Sequence, residues 1–171
     1  IVALAYPREA LQAPPGSGFL VARDEDLDIT ACTWATAKWP HLDVGPLAVV
    51  KCSLGRAQDG TAVVDQTDEE LIAIARRDLE RTMGVNAEPA EVLVVRHRGA
   101  IPQYAVGHLD RIAAVRAAAG AALPGLELAG NAYGGVGLSS CISGAHAAAE
   151  RLLPRLGDPQ ARTADHQELT R

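Results

Sequence analysis

Aromatic side chains are scarce in this sequence: one Phe, two Trp and three Tyr make up 4% of 171 residues, while alanine is abundant, especially after Ala113. Cysteine is sparse too. Cys32, Cys52 and Cys141 stand far apart, without a CxxC or a paired histidine cluster, so no metal site is expected and a reducing compartment is indicated. Positive charge is in deficit: the net charge is −5 and the pI about 5.5, which speaks against nucleic acid as a partner. No apolar run approaches the roughly 20 residues of a membrane span, and no signal-peptide pattern is visible. The expectation is a soluble, cytoplasmic protein with ample apolar content for a core.

The familiar catalytic motifs are missing as well. There is no GxSxG elbow, no HExxH and no Walker lysine. Gly16-Ser17-Gly18 lacks the third glycine and the preceding strand of a dinucleotide fingerprint. The five histidines (His41, His97, His108, His146 and His166) are scattered, and a lone histidine is more often a surface or hydrogen-bonded residue than a base. Cys141 near a helix start has the setting for a lowered thiol pKa, but a small residue packing under a turn is the simpler reading. The acidic stretch Arg23–Asp28 lacks the glycine and bidentate glutamate of a calcium loop and reads as a solvated turn.

What is present centres on Leu126 to Leu153. Leu126, Leu128 and Ala129 read as the end of a buried strand, Gly130 as the turn, and Gly134, Gly135 and Gly137 as a glycine-rich connection. From about Ser139 the period is helical. Ile142, Ala145, Ala149 and Leu152/Leu153 share one face, Ser143, Gly144, Ala147 and Ala148 keep another slim, and Pro154 is the expected stop. Such a turn brings backbone N–H groups close to a bulky, flat or anionic ligand, although a tight strand-to-helix connection in any α/β protein reads the same way.

Upstream, Ile1–Tyr6, Phe19–Ala22, Ile29–Trp34, Leu47–Leu54 and Val92–Val95 read as strands, the second and third forming a hairpin. Lys38–His41 reads as a loop. Thr67-Asp-Glu-Glu70 is a capping box opening a helix with Leu71, Ile74, Ala75, Leu79 and Met83 inward, a charged wet face, and Gly84 as its stop. Leu109–Ala122 is a further helix with Leu109, Ile112, Ala113 and Ala119 inward. Strands precede helices, an α+β order. The tail from Gly157 is polar and expected to fray. The chain opens Ile-Val-Ala-Leu-Ala-Tyr without a methionine and reads as the back part of something longer.

Two segments carry a resemblance. Ile101-Pro-Gln-Tyr-Ala-Val-Gly-His108, followed by Ala129-Gly-Asn-Ala-Tyr-Gly-Gly-Val-Gly-Leu-Ser-Ser-Cys-Ile-Ser-Gly144, resembles the C-terminal signature of the protoporphyrinogen and coproporphyrinogen oxidases, FAD-dependent relatives of the amine oxidases. Gly16-Ser-Gly-Phe-Leu-Val and Ala37-Lys-Trp-Pro also resemble segments of that family. The resemblance implies oxidation of a porphyrinogen to a porphyrin in haem biosynthesis, with oxygen as acceptor and hydrogen peroxide released. It implies that Gly130, Val136, Gly137 and Leu138 contact FAD, and that Gly18 and Leu20 line the substrate cavity. His97 stands where the family often carries a flavin-packing Trp. No side chain is assigned as a catalytic base.

The fold implied is α+β: residues 1–100 as part of a substrate domain with a mixed or antiparallel sheet, and 101–156 as a return to the FAD domain with its last strand and helix. The N-terminal dinucleotide-binding part is absent from the sequence, so FAD binding by this chain alone is expected to be weak or nil. Any peripheral membrane contact would lie in absent regions. The alanine- and arginine-rich style suggests a GC-rich bacterium and coproporphyrinogen III as substrate, with protoporphyrinogen IX not separated from it. The alternatives are another amine-oxidase-like flavoenzyme, acting on an amine or a carotenoid, a non-catalytic porphyrin-binding module, and a purely structural module.

Overall fold

The computed structural model of the chain describes residues 1–43, 45–57 and 62–156. The expected polar tail, 157–171, and the Asp59-Gly60 stretch, expected as loop, lie outside them. The chain divides into two compact units, Ile1–Arg98 and a second beginning at Gly99.

The first unit is an antiparallel sheet backed by a helix. Its strands are β1 (Val2–Pro7), β2 (Gly18–Leu20), β3 (Ile29–Trp34), β4 (Leu47–Leu54) and β5 (Glu91–Val94), in the order β2-β3-β4-β1-β5. All pairings are antiparallel, so the mixed alternative does not hold for the described residues. The β2–β3 hairpin forms as read, although β2 is shorter than expected. Between β3 and β4, where a loop was expected, stand a short helix α1 (Ala35–Lys38) and a 3-10 turn at Pro40–Leu42.

Alternation sorts the strands into two faces. One register row, Phe19–Cys32–Cys52–Val2–Val94, crosses the whole sheet on the inner side. Against that side packs α2 (Asp68–Met83), whose Leu71, Ala75 and Leu79 join Val2, Leu4, Ile29 and Val50 in the core. The capping box is complete: the Thr67 hydroxyl accepts from Glu70 N at 3.2 Å and the Glu70 carboxylate from Thr67 N at 2.8 Å. The helix closes at Gly84, whose N–H donates to Glu80 O.

One charge on α2 is not part of a wet face. Asp78 is fully buried. Its carboxylate accepts the backbone N–H groups of Asp28 (2.8 Å) and Ile29 (2.9 Å) and two bonds from the Arg77 guanidinium (2.9 and 2.7 Å). Arg77 also bonds Asp28, and Arg81 reaches the carbonyl of Asp26, so the acidic turn of the hairpin is fastened to α2. A helical wheel places Asp78 beside Leu71 and Ala75, yet charge alone reads as solvent-facing. The missed signal was the run of backbone donors at the start of β3, which only the packing brings to the helix.

The inner row also pairs Cys32 with Cys52, directly opposed on β3 and β4 and free of any disulfide. The facing Cys32 thiol, together with burial, pushes the Cys52 thiol above its ordinary range.

The second unit is helical: α3 (His108–Ala122), α4 (Asn131–Gly134) and α5 (Leu138–Leu156). Three expectations are corrected in it. Residues 126–129 are not a strand, because a strand requires a hydrogen-bonded neighbour and no ladder partner faces them among the described residues. Pro154 does not stop α5, which runs to Leu156; proline costs a helix its bond to the residue four back, a loss tolerable in a last turn. The faces read as inward are largely bare. No residue of α3 is buried, Leu109 is exposed, and on α5 Ile142, Ala145, Ala149 and Leu153 are exposed while Ala148, on the slim side, is buried. The unit has too few elements to cover both sides of each helix. No described helix is long and apolar enough to cross a membrane.

Replacing Asp78 by Ala is expected to cost about 3 kcal/mol, since it strands two buried N–H groups and loosens the Arg77 pair; urea unfolding of the purified protein checks this. In native buffer iodoacetamide is expected to spare Cys32 and Cys52, with both reacting once denaturant opens the sheet, as peptide mass mapping would show.

Candidate functional site

The residues expected at a site fall into three places. In the second unit Gly130 caps the start of α4, while Val136 and Gly137 lie in the connection from α4 to α5 and Leu138 opens α5. Gly18 and Leu20 lie on edge strand β2 of the first unit. His97 follows β5, the opposite edge of the same sheet, and is exposed. Four strand spacings separate the two edges, about 19 Å, so His97 is not brought to Gly18 and Leu20.

The glycine-rich connection is built by local constraints. Gly135 has φ +139°, and a Cβ there would stand 2.7 Å from the Ser140 Cβ, so a side chain is excluded by the first turn of α5. Gly137 is the last residue before the helix. Its carbonyl accepts Cys141 N at 2.9 Å, which makes it the first acceptor of α5 and leaves the N–H groups of Leu138, Ser139 and Ser140 as the helix's leading donors. No acidic residue occupies the first turn to offset the positive end of the helix. Open space lies beside Gly130 and Gly137, and Leu138 is 84% exposed. The turn therefore offers backbone donors, partial positive charge and apolar side chains to the same surroundings.

Tyr104 holds this turn, a role the sequence reading missed. Its hydroxyl donates to the carbonyl of Asn131 and accepts Gly135 N at 2.8 Å, while its ring stacks on His108 with centroids 3.9 Å apart. Asn131 Nδ2 reaches back to Ala100 O at 3.5 Å. The segment 101–108 and the glycine-rich segment are thus bound through one phenol. The only hint in the sequence was a lone Tyr between two turn-forming segments. The groove beside α5, about 460 Å³, is lined by Gly134, Ser139, Ser140, Ser143, Gly144 and Ala147, with Arg116 and Arg151 at its rim.

In the first unit Gly18 is dictated by close approach. At φ +148° a Cβ would fall 2.2 Å from the Cys32 carbonyl oxygen, so β2 lies on β3 only with glycine there. Leu20, two residues on and on the same outer face, is 86% exposed.

A profile of the family "flavin containing amine oxidoreductase" matches residues 1–153, nearly the whole described chain. The chain belongs to that family. Flavin is the family's cofactor, and the turn at Gly130–Leu138 has the donors, open space and positive helix end that a flat group with a negatively charged edge requires.

Among curated proteins, the chain is 38% identical over 156 residues to a coproporphyrinogen III oxidase of Bacillus subtilis, covering 91% of the chain and 33% of that protein. It is 36% identical to that of Staphylococcus aureus, with the same coverage, and 30% identical to a chloroplastic protoporphyrinogen oxidase of Oryza sativa, covering 88% of the chain and 30% of that protein. A crystal structure provisionally named a protoporphyrinogen oxidase, from Exiguobacterium sp. 255-15, superposes with a TM-score of 0.75 at 36% identity, covering 88% of this chain and 33% of that one. The chain therefore spans about a third of the length of the curated relatives it matches.

Tyr104→Phe keeps the stack on His108 but leaves Gly135 N without its acceptor. It is expected to weaken flavin binding by the complete protein about tenfold with little change in helix content, read by flavin fluorescence titration and circular dichroism.

Proposed function

We propose that this chain is part of an FAD-dependent porphyrinogen oxidase of haem biosynthesis, acting on coproporphyrinogen III. The observation that carries the reading is the binding of segment 101–108 to the glycine-rich turn through Tyr104, because these two segments hold the resemblance to the porphyrinogen oxidases. The relatives' names support the same substrate class, and the coproporphyrinogen III oxidases among them are bacterial.

In this reading the backbone of Val136, Gly137 and Leu138 lies along the flavin, with Gly130 at the turn beneath. Reduced flavin carries negative charge at its pyrimidine edge, and the leading N–H groups of α5 stabilise that charge without reorganising. Bound FAD supplies the redox chemistry, removing electrons from the porphyrinogen and passing them to oxygen. This chain's residues bind and orient. Gly18 and Leu20 present a bare, flat strand surface to the macrocycle. His97 takes the position of a flavin-packing aromatic, and no side chain serves as a catalytic base.

The bare apolar faces of α3 and α5 support the same assignment. Leu109, Val115, Ile142 and Leu153 are exposed, and so large an apolar surface calls for a covering partner. That cover is the dinucleotide-binding part of the complete protein, which also holds the FAD pyrophosphate. The whole works in the cytoplasm or at the membrane surface.

Incubation with FAD followed by desalting tests this. The 171-residue chain alone is expected to retain no flavin band, whereas the complete protein retains one and converts coproporphyrinogen III to fluorescent porphyrin with matching oxygen uptake. A complete protein that holds flavin but oxidises neither porphyrinogen overturns the substrate assignment.

A further inference from the structure

The outer face of the sheet holds a second register row, Gly18–Thr33–Lys51–Ala3–Leu93, opposite in facing to the row that carries the cysteines. Apart from Lys51 it is uncharged and mostly small, and α2 packs on the other side. Lys51 stands two strands from Gly18, about 10 Å away. Its ammonium lies 4.8 Å from the centre of the Trp39 ring, and the Lys38 ammonium lies 4.9 Å from the same centre. These are the only two lysines in the chain.

The pairing is unusual for this molecule. The ion pairs found among the described residues are made by arginines (Arg8, Arg76, Arg77, Arg81, Arg96, Arg98 and Arg151), and neither lysine takes part in one. Each ammonium is attracted by the ring's quadrupole, and a carboxylate within reach adds a Coulombic attraction of similar size. The one acid on the strands of this face, Glu91, belongs to edge strand β5, on the far side of β1 from Lys51. Among the described residues neither lysine has an ion-pair partner, and Lys51 lies on the same face as Gly18 and Leu20.

We propose that Lys38 and Lys51, held by Trp39, receive a propionate carboxylate of the tetrapyrrole and so favour porphyrinogens rich in carboxylate arms. The proposal rests on the porphyrinogen reading above. The macrocycle lies over the small residues of the outer face while an arm reaches an ammonium beside Trp39. Lysine suits this role because its compact charge meets a mobile carboxylate without the fixed bidentate geometry of arginine.

The test uses the complete, flavin-loaded protein and compares K38M, K51M, K38M/K51M and K38R/K51R on coproporphyrinogen III, a tetracarboxylate, and protoporphyrinogen IX, a dicarboxylate. The double Met variant is expected to raise KM for the tetracarboxylate about tenfold, to change kcat less than about twofold, and to raise KM for the dicarboxylate less. Added salt should raise the wild-type KM and leave that of the double variant nearly unchanged, and the double Arg variant should restore most of the loss. An unchanged KM and salt dependence in a double Met variant with normal flavin content overturns the proposal while leaving the porphyrinogen reading intact. Failure of the wild type on both porphyrinogens overturns that reading instead. Should K51M disturb folding, K38M decides, because Lys38 is exposed on a short turn: an unchanged KM there also overturns the proposal.

Discussion

The buried carboxylate of Asp78 ties the helix of the first unit to the hairpin on which Gly18 and Leu20 stand. A carboxylate is removed from water at a cost of several kcal/mol, and here two backbone N–H groups and the Arg77 guanidinium take water's place. The backbone donors are those of Asp28 and Ile29, so the anchor acts where the acidic turn becomes β3. The register of β3 against β4 shifts between Ile29 and Ala31, and beyond that irregularity Cys32 pairs with Cys52 and Lys51 stands opposite Thr33. A one-residue slip of β4 would send Lys51 into the core and Cys52 to the open face.

α2 covers one face of the sheet, and Leu20 and Leu93 are exposed on the other. That division of labour begins with composition: the inner row is Phe, Cys, Cys, Val and Val, the outer row Gly, Thr, Lys, Ala and Leu. Small outer residues leave a low surface, and Gly18 allows β2 to lie close against the backbone of β3.

The candidate site of the second unit is built from backbone groups more than from side chains. Its slim helix start, the glycines before it and the phenol of Tyr104 together hold a set of N–H donors in a fixed direction. Preorganised donors of this kind need no titrating residue, which accounts for a site region without a catalytic-looking constellation. The same economy leaves its helices with apolar sides that nothing among the unit's described residues covers.

By itself the sequence determined the α+β order, the capped helix from Asp68 to Gly84, the hairpin, and the segments that mark the flavin-containing family. These depend on local signals: period, caps, turns and short runs of residues in order. Tertiary structure decided what depends on distant partners. It buried Asp78 by bringing β3 donors to α2, and it set both lysines on one indole. It joined Tyr104 to Gly135, and it denied residues 126–129 the status of a strand. Apolar period told which side of α3 and α5 could be buried, but burial requires a neighbour, and a pattern within one helix cannot supply it.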